Sequence, residues 1–161
     1  MAKRSAGILL WKRTPTGLHV LLVHPGGPFW RNKDDGAWSL PKGEYEESEN
    51  ALSAARRELV EELGPAVAPL AVQGEAAFAA LGEVKQKGGK IVTAFALEGD
   101  FDVTQLASNS FEIEWPPRSG RREAFPEADR AQWFALDEAR TKILPSQLEL
   151  LVRAGKLLSA C

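Results

Sequence analysis

The chain is 161 residues long, 44% apolar and 26% charged, which suits one domain with a real core and excludes a disordered polymer. Its 20 basic and 22 acidic residues leave a net charge of −2, which excludes a general nucleic-acid or membrane footprint and makes any phosphate-rich ligand depend on local cations. The single cysteine, Cys161, permits no internal disulfide, and MAKRSAGILLW holds too short an apolar run for a signal segment, so a cytoplasmic protein is expected.

Ala6 to Trp11 and Leu18 to His24 are apolar, β-prone runs around the turn signal Thr14-Pro15-Thr16-Gly17, which predicts a hairpin. His24 to Gly36 follows as a long loop containing Pro25, Gly26, Gly27 and Pro28, and loops of this length inside a compact domain commonly carry function. In it Phe29 and Trp30 either stack on a base or fold the loop onto the core, and Arg31 and Lys33 are placed to meet phosphates. His19 and His24 lack metal-ligand spacing with any other His or Cys and read as structural. Pro41 and Gly43 make a constrained turn whose carbonyls can point at a metal. Ser48 and Asn50 are N-cap candidates for a helix that runs to Leu63 and stops at Gly64. Its apolar stripe is Ala51, Ala55, Leu59 and Leu63.

Val72 to Glu83 and Lys90 to Gly99 are strand-like and joined by the turn Lys85-Gln86-Lys87-Gly88-Gly89. The second is apolar at nearly every position, as suits a central strand covered on both faces. Phe111 to Trp115 predicts a short strand ended by Pro116-Pro117, and Arg118 to Glu127 a polar loop whose arginines suit either phosphate or solvent. Ala131 to Leu136 is a further strand, Asp137 caps a short helix to Ile143, and Ser146-Gln147-Leu148-Glu149 is a capping box for a closing helix to Leu158. No repeat or linker divides the chain, so residues 1–161 read as one mixed α/β domain.

The chemistry concentrates in Arg57-Glu58-Leu59-Val60-Glu61-Glu62. On a helix Glu58 neighbours both Glu61 and Glu62, and like charges so placed repel by ~0.2–0.5 kcal/mol per pair. Arg57 can neutralise one carboxylate at most. A hard divalent cation such as Mg²⁺ would resolve the remainder, because clustered carboxylate oxygens are what it accepts.

Around this cluster stand Gly43, five residues, Glu49, seven residues, Arg57-Glu58, apolar Leu59, any residue, Glu61-Glu62, any residue and Gly64. This frame resembles the Nudix box, G-x5-E-x7-R-E-U-x-E-E-x-G-U with U apolar; every fixed letter matches, and only Pro65 departs, where an aliphatic residue is usual. The resemblance implies a Nudix-type α/β/α sandwich with a mixed sheet and a catalytic box helix, binding Mg²⁺ or Mn²⁺ and hydrolysing a nucleoside diphosphate linked to another group. By position, Glu58 and Glu62 resemble the principal metal ligands, with Glu61 beside them as ligand or water activator and a carbonyl near Lys42 or Gly43 helping. Arg57 and Glu49 resemble the internal pair that orients the helix. Members of the family often add a carboxylate from a later loop, for which Glu127 is the first choice, with Glu123 and Glu114 behind it. Lys42 and Lys90 either steady a polyphosphate or are plain surface lysines.

Trp38-Ser39-Leu40-Pro41-Lys42-Gly43 resembles the W-x-x-P-K-G segment of diadenosine tetraphosphate and diphosphoinositol polyphosphate hydrolases. The basic residues Arg31, Lys33, Arg118, Arg121 and Arg122 fit a long polyphosphate, and Phe29, Trp30, Trp115 and Phe125 could sandwich adenine. A dinucleoside polyphosphate such as diadenosine tetraphosphate is therefore the leading expectation, ahead of an NTP, a dNTP or a diphosphoinositol. A non-catalytic nucleotide-binding module on the same fold is the alternative of a different class. Either a monomer or a homodimer is compatible with the sequence, and no nucleic-acid or membrane partner is expected.

Overall fold

A computed structural model describes residues 3–159, so Cys161 lies outside the described residues. Strands β1 (Arg4–Thr14) and β2 (Gly17–Pro25) form the hairpin the turn signal predicts, paired antiparallel from Thr14 opposite Gly17 to Trp11 opposite Val20. The first half of β1 turns instead to the short β3 (Lys42–Glu44), with Ser5 opposite Glu44. On its other side β1 runs parallel to β5 (Ile91–Glu98), which pairs antiparallel with β4 (Phe78–Lys85). Beyond β2 lies β8 (Ala128–Ala135), giving a mixed six-stranded sheet in the order β4-β5-β1-β2-β8 with β3 attached to β1.

Strand alternation divides the core into two layers. Ala6, Ile8 and Leu10 of β1 and Leu21 and Val23 of β2 face helix α1 (Ala51–Leu63), where they meet Ala54, Ala55, Leu59 and Leu63. Leu9 of β1, Val20 and Leu22 of β2, and Val92, Ala94 and Ala96 of β5 face the opposite way. There they meet Ala139 of α3 (Leu136–Lys142; α2 is Ala68–Ala71) and Leu150, Leu151 and Ala154 of α4 (Leu148–Ser159). Helices thus cover both faces, and the architecture is an α/β/α sandwich. Fully burying each such Leu contributes about 1.5–3 kcal/mol. Among the described residues no helix is long and apolar enough to cross a membrane.

Helix α1 begins where Asn50 Oδ1 accepts the Ser53 amide at 2.8 Å, so Asn50 is the cap and Ser48 is not. It ends at Gly64, whose φ of 98° only glycine adopts readily. Pro65, the departure from the box, opens a 3₁₀ turn, and the buried aliphatic there is Val67.

Several expectations are corrected. The strand expected from Val72 starts only at Phe78, because Pro69 opens α2, Glu75–Ala77 forms a 3₁₀ turn, and the run lacks β-branched residues after Val72. β5, by contrast, is paired on both sides and gives side chains to both core layers, as its apolar run predicts. The polar loop expected over Arg118–Glu127 contains a strand, β7 (Arg122–Pro126), which pairs with β6 (Ser110–Glu114) as a separate two-stranded ribbon. Asp137 does not cap α3, since the cap position is Ala135 and Asp137 sits in the first turn. The capping box at Ser146–Glu149 does not form: Ser146 Oγ receives Gln86 Nε2 at 3.0 Å, and Glu149 lies 3.6 Å from Arg153 Nε.

Candidate functional site

Helix α1 presents its carboxylates on the side flanking its apolar stripe. Arg57 organises them. Its Nε and Nη2 donate to the two oxygens of Glu49 at 3.2 and 2.9 Å, a bidentate pair, while Nη1 reaches Glu58 Oε1 at 2.7 Å and both Glu61 oxygens at 3.4 Å. These contacts hold the guanidinium still further above its already high range, Glu49 contributing most. Glu58 is only 6% exposed, and it fits because residue 43 is glycine: a Cβ there would overlap the Glu58 carboxylate. β3 and α1 can therefore approach only with Gly43 between them.

A fourth carboxylate arrives from far along the chain. Of the last four carbonyls of α1, Val60 keeps an ordinary helical bond from the cap residue, while Glu61 and Leu63 are met from outside the helix. Gly64 N–H donates to Val60 O at 2.7 Å, Asn109 N–H to Glu61 O at 3.0 Å and Ala107 N–H to Leu63 O at 3.0 Å. Asn109 O in turn accepts Glu127 N–H at 2.7 Å, and Glu127 O accepts Gly26 N–H at 2.9 Å. The base of the β6–β7 ribbon is thus bolted to the end of α1, and Glu127 is delivered close enough to repel Glu58, Glu61 and Glu62.

That crowding shows in the acidities. Burial, then Glu127 and Glu58, push the Glu62 carboxyl up to about 8. Burial also raises Glu58, against the pull of Arg57, and raises Glu127, helped by Glu61. The nearest relief for Glu62 is Lys42, whose own ammonium is pushed down by burial while Glu62 pulls it up. An oxygen-only set with surplus negative charge is chemically suited to Mg²⁺ or Mn²⁺. As the side chains stand, no three His, Cys, Asp or Glu among the described residues converge on one point, since Arg57 draws Glu58 and Glu61 to itself. A cation bound by Glu58 or Glu61 would compete with Arg57 for them.

Beside the cluster opens a cavity of about 210 Å³ lined by Val23, Pro25, Trp30, Ala37, Ser39, Leu40 and Leu144, together with Lys42, Glu62 and Glu127. A larger hollow of about 730 Å³ lies outside the Glu44–Glu49 loop, next to Arg57, but none of Glu58, Glu61, Glu62 or Glu127 lines it. The smaller one joins apolar walls to the carboxylates and is the better candidate for a bound ligand. Its rim loop is pinned from below. The buried His24 ring bridges Asp129 Oδ1 at 2.8 Å and the Lys33 carbonyl at 2.6 Å, and Asp34 accepts Trp38 Nε1 at 2.9 Å and Lys142 Nζ at 2.7 Å.

Glu49, Arg57, Glu58, Glu61, Glu62, Gly43, Lys42 and Glu127 therefore come together. Trp30 reaches the cavity wall, and Lys33 Nζ lies 5.2 Å from its ring centroid. Lys90 is exposed and near enough to oppose the charge of Lys42, and Arg31 is exposed. Of the four aromatics expected around adenine, Trp30 alone lines the cavity; Phe29 and Trp115 meet edge to face at 5.6 Å, and Phe125 packs on Phe111 at 6.1 Å. Residues to which the sequence assigned no site role also enter: Ser39, Leu144, and the fully buried Gln147 that holds Ser39 and Leu40. Their only signal is long-range packing, which a single sequence does not display.

A family model described as the NUDIX domain matches residues 1–154. No curated protein matches the sequence. Among solved structures, the chain resembles a binary complex of the C. elegans Ap4A hydrolase, with a TM-score of 0.64 at 19% identity, covering 99% of this chain and 100% of that one. It also resembles the NUDIX domain of Shewanella oneidensis NrtR complexed with ADP ribose, with a TM-score of 0.62 at 18% identity over 98% and 89% of the two chains. A mutT/nudix family protein from Listeria innocua aligns with a TM-score of 0.59 at 20% identity over 98% and 94%.

Proposed function

The chain belongs to the NUDIX domain family, a family of pyrophosphohydrolases, and from that premise we propose that it hydrolyses a phosphoanhydride bond in a nucleoside diphosphate-linked substrate with Mg²⁺ or Mn²⁺. A dinucleoside polyphosphate such as diadenosine tetraphosphate is the preferred substrate in this reading, and the cytoplasm its setting. One observation supports it above the others: Glu127 joins Glu58, Glu61 and Glu62 beside a cavity that carries both an aromatic wall and a lysine.

Glu58, Glu62 and Glu127 would hold the cation, with Glu61 as a further ligand or as the group that takes a proton from the attacking water. A bound divalent ion supplies charge neutralisation on the phosphates and a more acidic water. The protein's own side chains do the rest. Arg57, anchored by Glu49, fixes the direction of Glu58 and Glu61, as groups behind metal ligands commonly do. Lys42, kept in a partly buried position, meets a phosphate oxygen as a point charge. The apolar walls around Trp30 exclude water from the far end of the substrate.

Product formation, followed by chromatographic separation of the nucleotide, pyrophosphate and phosphate products across dinucleoside polyphosphates, NTPs, ADP-ribose and diphosphoinositols, with and without Mg²⁺, tests the proposal. The expected result is Mg²⁺-dependent turnover with the highest kcat/KM on a dinucleoside polyphosphate. Absence of turnover on every nucleotide, with Glu61→Gln and Glu62→Gln leaving nucleotide binding intact, would establish a binding module instead.

A further inference from the structure

The cavity beside the carboxylates has a charged part, made by Glu62, Glu127 and Lys42, and an apolar part around Trp30, Ala37 and Leu144. Four residues of the lining, Val23, Ser39, Leu40 and Leu144, already have both backbone hydrogen-bonding groups engaged. Val23 and Ser39 exchange both backbone bonds, at 2.8 and 3.0 Å. Leu144 N–H donates to the Trp38 carbonyl at 2.8 Å, and its own carbonyl accepts Gln147 N–H at 2.9 Å. Leu40 N–H donates to Gln147 Oε1 at 3.2 Å, and its carbonyl accepts the Ser39 hydroxyl at 2.7 Å. Gln147 Nε2 completes the set by donating to Ser39 Oγ at 3.0 Å. On Val23, Ser39, Leu40 and Leu144 both backbone groups are therefore taken, and the Ser39 hydroxyl proton is taken as well.

Discrimination between bases of similar size needs unpaired donors or acceptors waiting at the wall, because a wrong base then leaves them unsatisfied. Stacking makes no such distinction, since every base has a π-face. Trp30 supplies that surface here. Gln147, fully buried, is the one residue whose side chain occupies both Leu40 N–H and Ser39 Oγ.

Resting on the hydrolase reading above, we propose that this cavity seats one nucleobase of the substrate by stacking on Trp30 and by ring size, without reading its hydrogen-bonding edge, and that Gln147 is the positioning residue that keeps the wall silent. Adenine and guanine substrates with the same phosphate chain are then equivalent, and one-ring bases lose stacking area.

Steady-state kinetics with diadenosine, diguanosine and dicytidine tetraphosphates test this directly. The expected kcat/KM values for the two purines agree within about threefold, and cytosine falls about tenfold below them. Trp30→Ala raises KM about tenfold for both purines with kcat within about twofold, and Trp30→Phe restores most of the loss. Gln147→Leu frees Leu40 N–H and an acceptor position on Ser39 Oγ, and moves the adenine-to-guanine ratio beyond about threefold; a purely structural Gln147 would lower stability and kcat without moving that ratio. Should that variant not fold, Ser39→Ala carries the same test, because it frees the Leu40 carbonyl and Gln147 Nε2, and the ratio is again expected to move beyond about threefold. A wild-type purine preference above about threefold, an unchanged KM in Trp30→Ala, or a ratio unmoved in a folded Gln147→Leu or Ser39→Ala would each overturn the proposal. If no nucleotide is hydrolysed, the hydrolase reading fails by itself, and calorimetric titration with ADP, GDP and CDP decides the base seat separately on the same ratios.

Discussion

The two ends of the site are built in different ways. The acidic end comes almost entirely from one helix and the turn before it: Glu49, Arg57, Glu58, Glu61 and Glu62, with Gly43 making room. Its geometry follows from helical periodicity and strong short-range charge contacts. The cavity end is assembled from the close of β2, the rim loop, the segment before β3, and the connection between α3 and α4, and is fastened by ordinary hydrogen bonds between them. A reaction that needs clustered charge can be written into one stretch of chain. A ligand seat that needs shape draws on the whole fold, so it can vary while the acidic end stays fixed.

Changes at the acidic end should act mainly on kcat, and changes at the cavity end mainly on KM. The largest effect is expected from Glu58→Gln or Glu62→Gln, on the order of 10²–10³-fold in kcat, measured by the rate of nucleotide product formation at saturating Mg²⁺. Arg57→Ala should cost about 10–100-fold, and Arg57→Lys should recover little of it, because a lysine cannot grip Glu49 with two parallel bonds. An equal loss on KM from either variant would break the comparison.

A pH experiment sharpens it. With Glu62 raised from 4.5 to about 8, the fold favours the protonated carboxyl. The associated stability is complete below 4.5 and is lost as pH rises through about 8. Metal-free protein should therefore lose Tm over that window, and Glu62→Gln should lose less, ending above wild type on the alkaline side. Mg²⁺ should restore wild-type Tm there and do less for the variant. Parallel melting curves for the two proteins across the window would show that Glu62 does not carry this strain.

At the cavity end, Leu144→Ala opens the wall and should raise KM several-fold with kcat nearly constant, at a stability cost of about 2 kcal/mol or more from the enlarged void. The smallest effect is expected from replacing Arg118, Arg121 and Arg122 together with serine. All three are exposed on the ribbon, and their influence on kcat/KM should stay within about twofold at physiological salt. A tenfold loss would mean that the ribbon grips phosphate and that the site has a third part.

The sequence discloses these regions unequally for the same physical reason. The box helix, its Asn50 cap, its Gly64 stop and its clustered glutamates are local, so spacing and charge reveal them. The hairpin of β1 and β2 and the apolar β5 are legible through turn chemistry and composition. Pairing is not local, and hence β7 hides inside an arginine-rich polar run until β6 offers it a partner. Ser146 and Glu149 match a capping box in spelling, but Gln86 and Arg153 compete for their side chains. Gln147 sits inside that same failed motif, and its contacts reach back to Ser39 and Leu40 across the whole chain. Glu127 is a candidate by its place before a strand, while its arrival at the acidic cluster depends on the bonds through Asn109.

Those bonds have a further consequence for how the molecule can be altered. Asn109 and Glu127 are joined directly, so everything between them leaves and returns through a single doorway. The cost of closing such an excursion grows only slowly with its length. Residues 110–126 could thus be shortened, lengthened or exchanged for a foreign hairpin while Glu127 keeps its address at the end of α1. The ribbon is a replaceable appendage: its tip can be redesigned while the acidic cluster is left untouched.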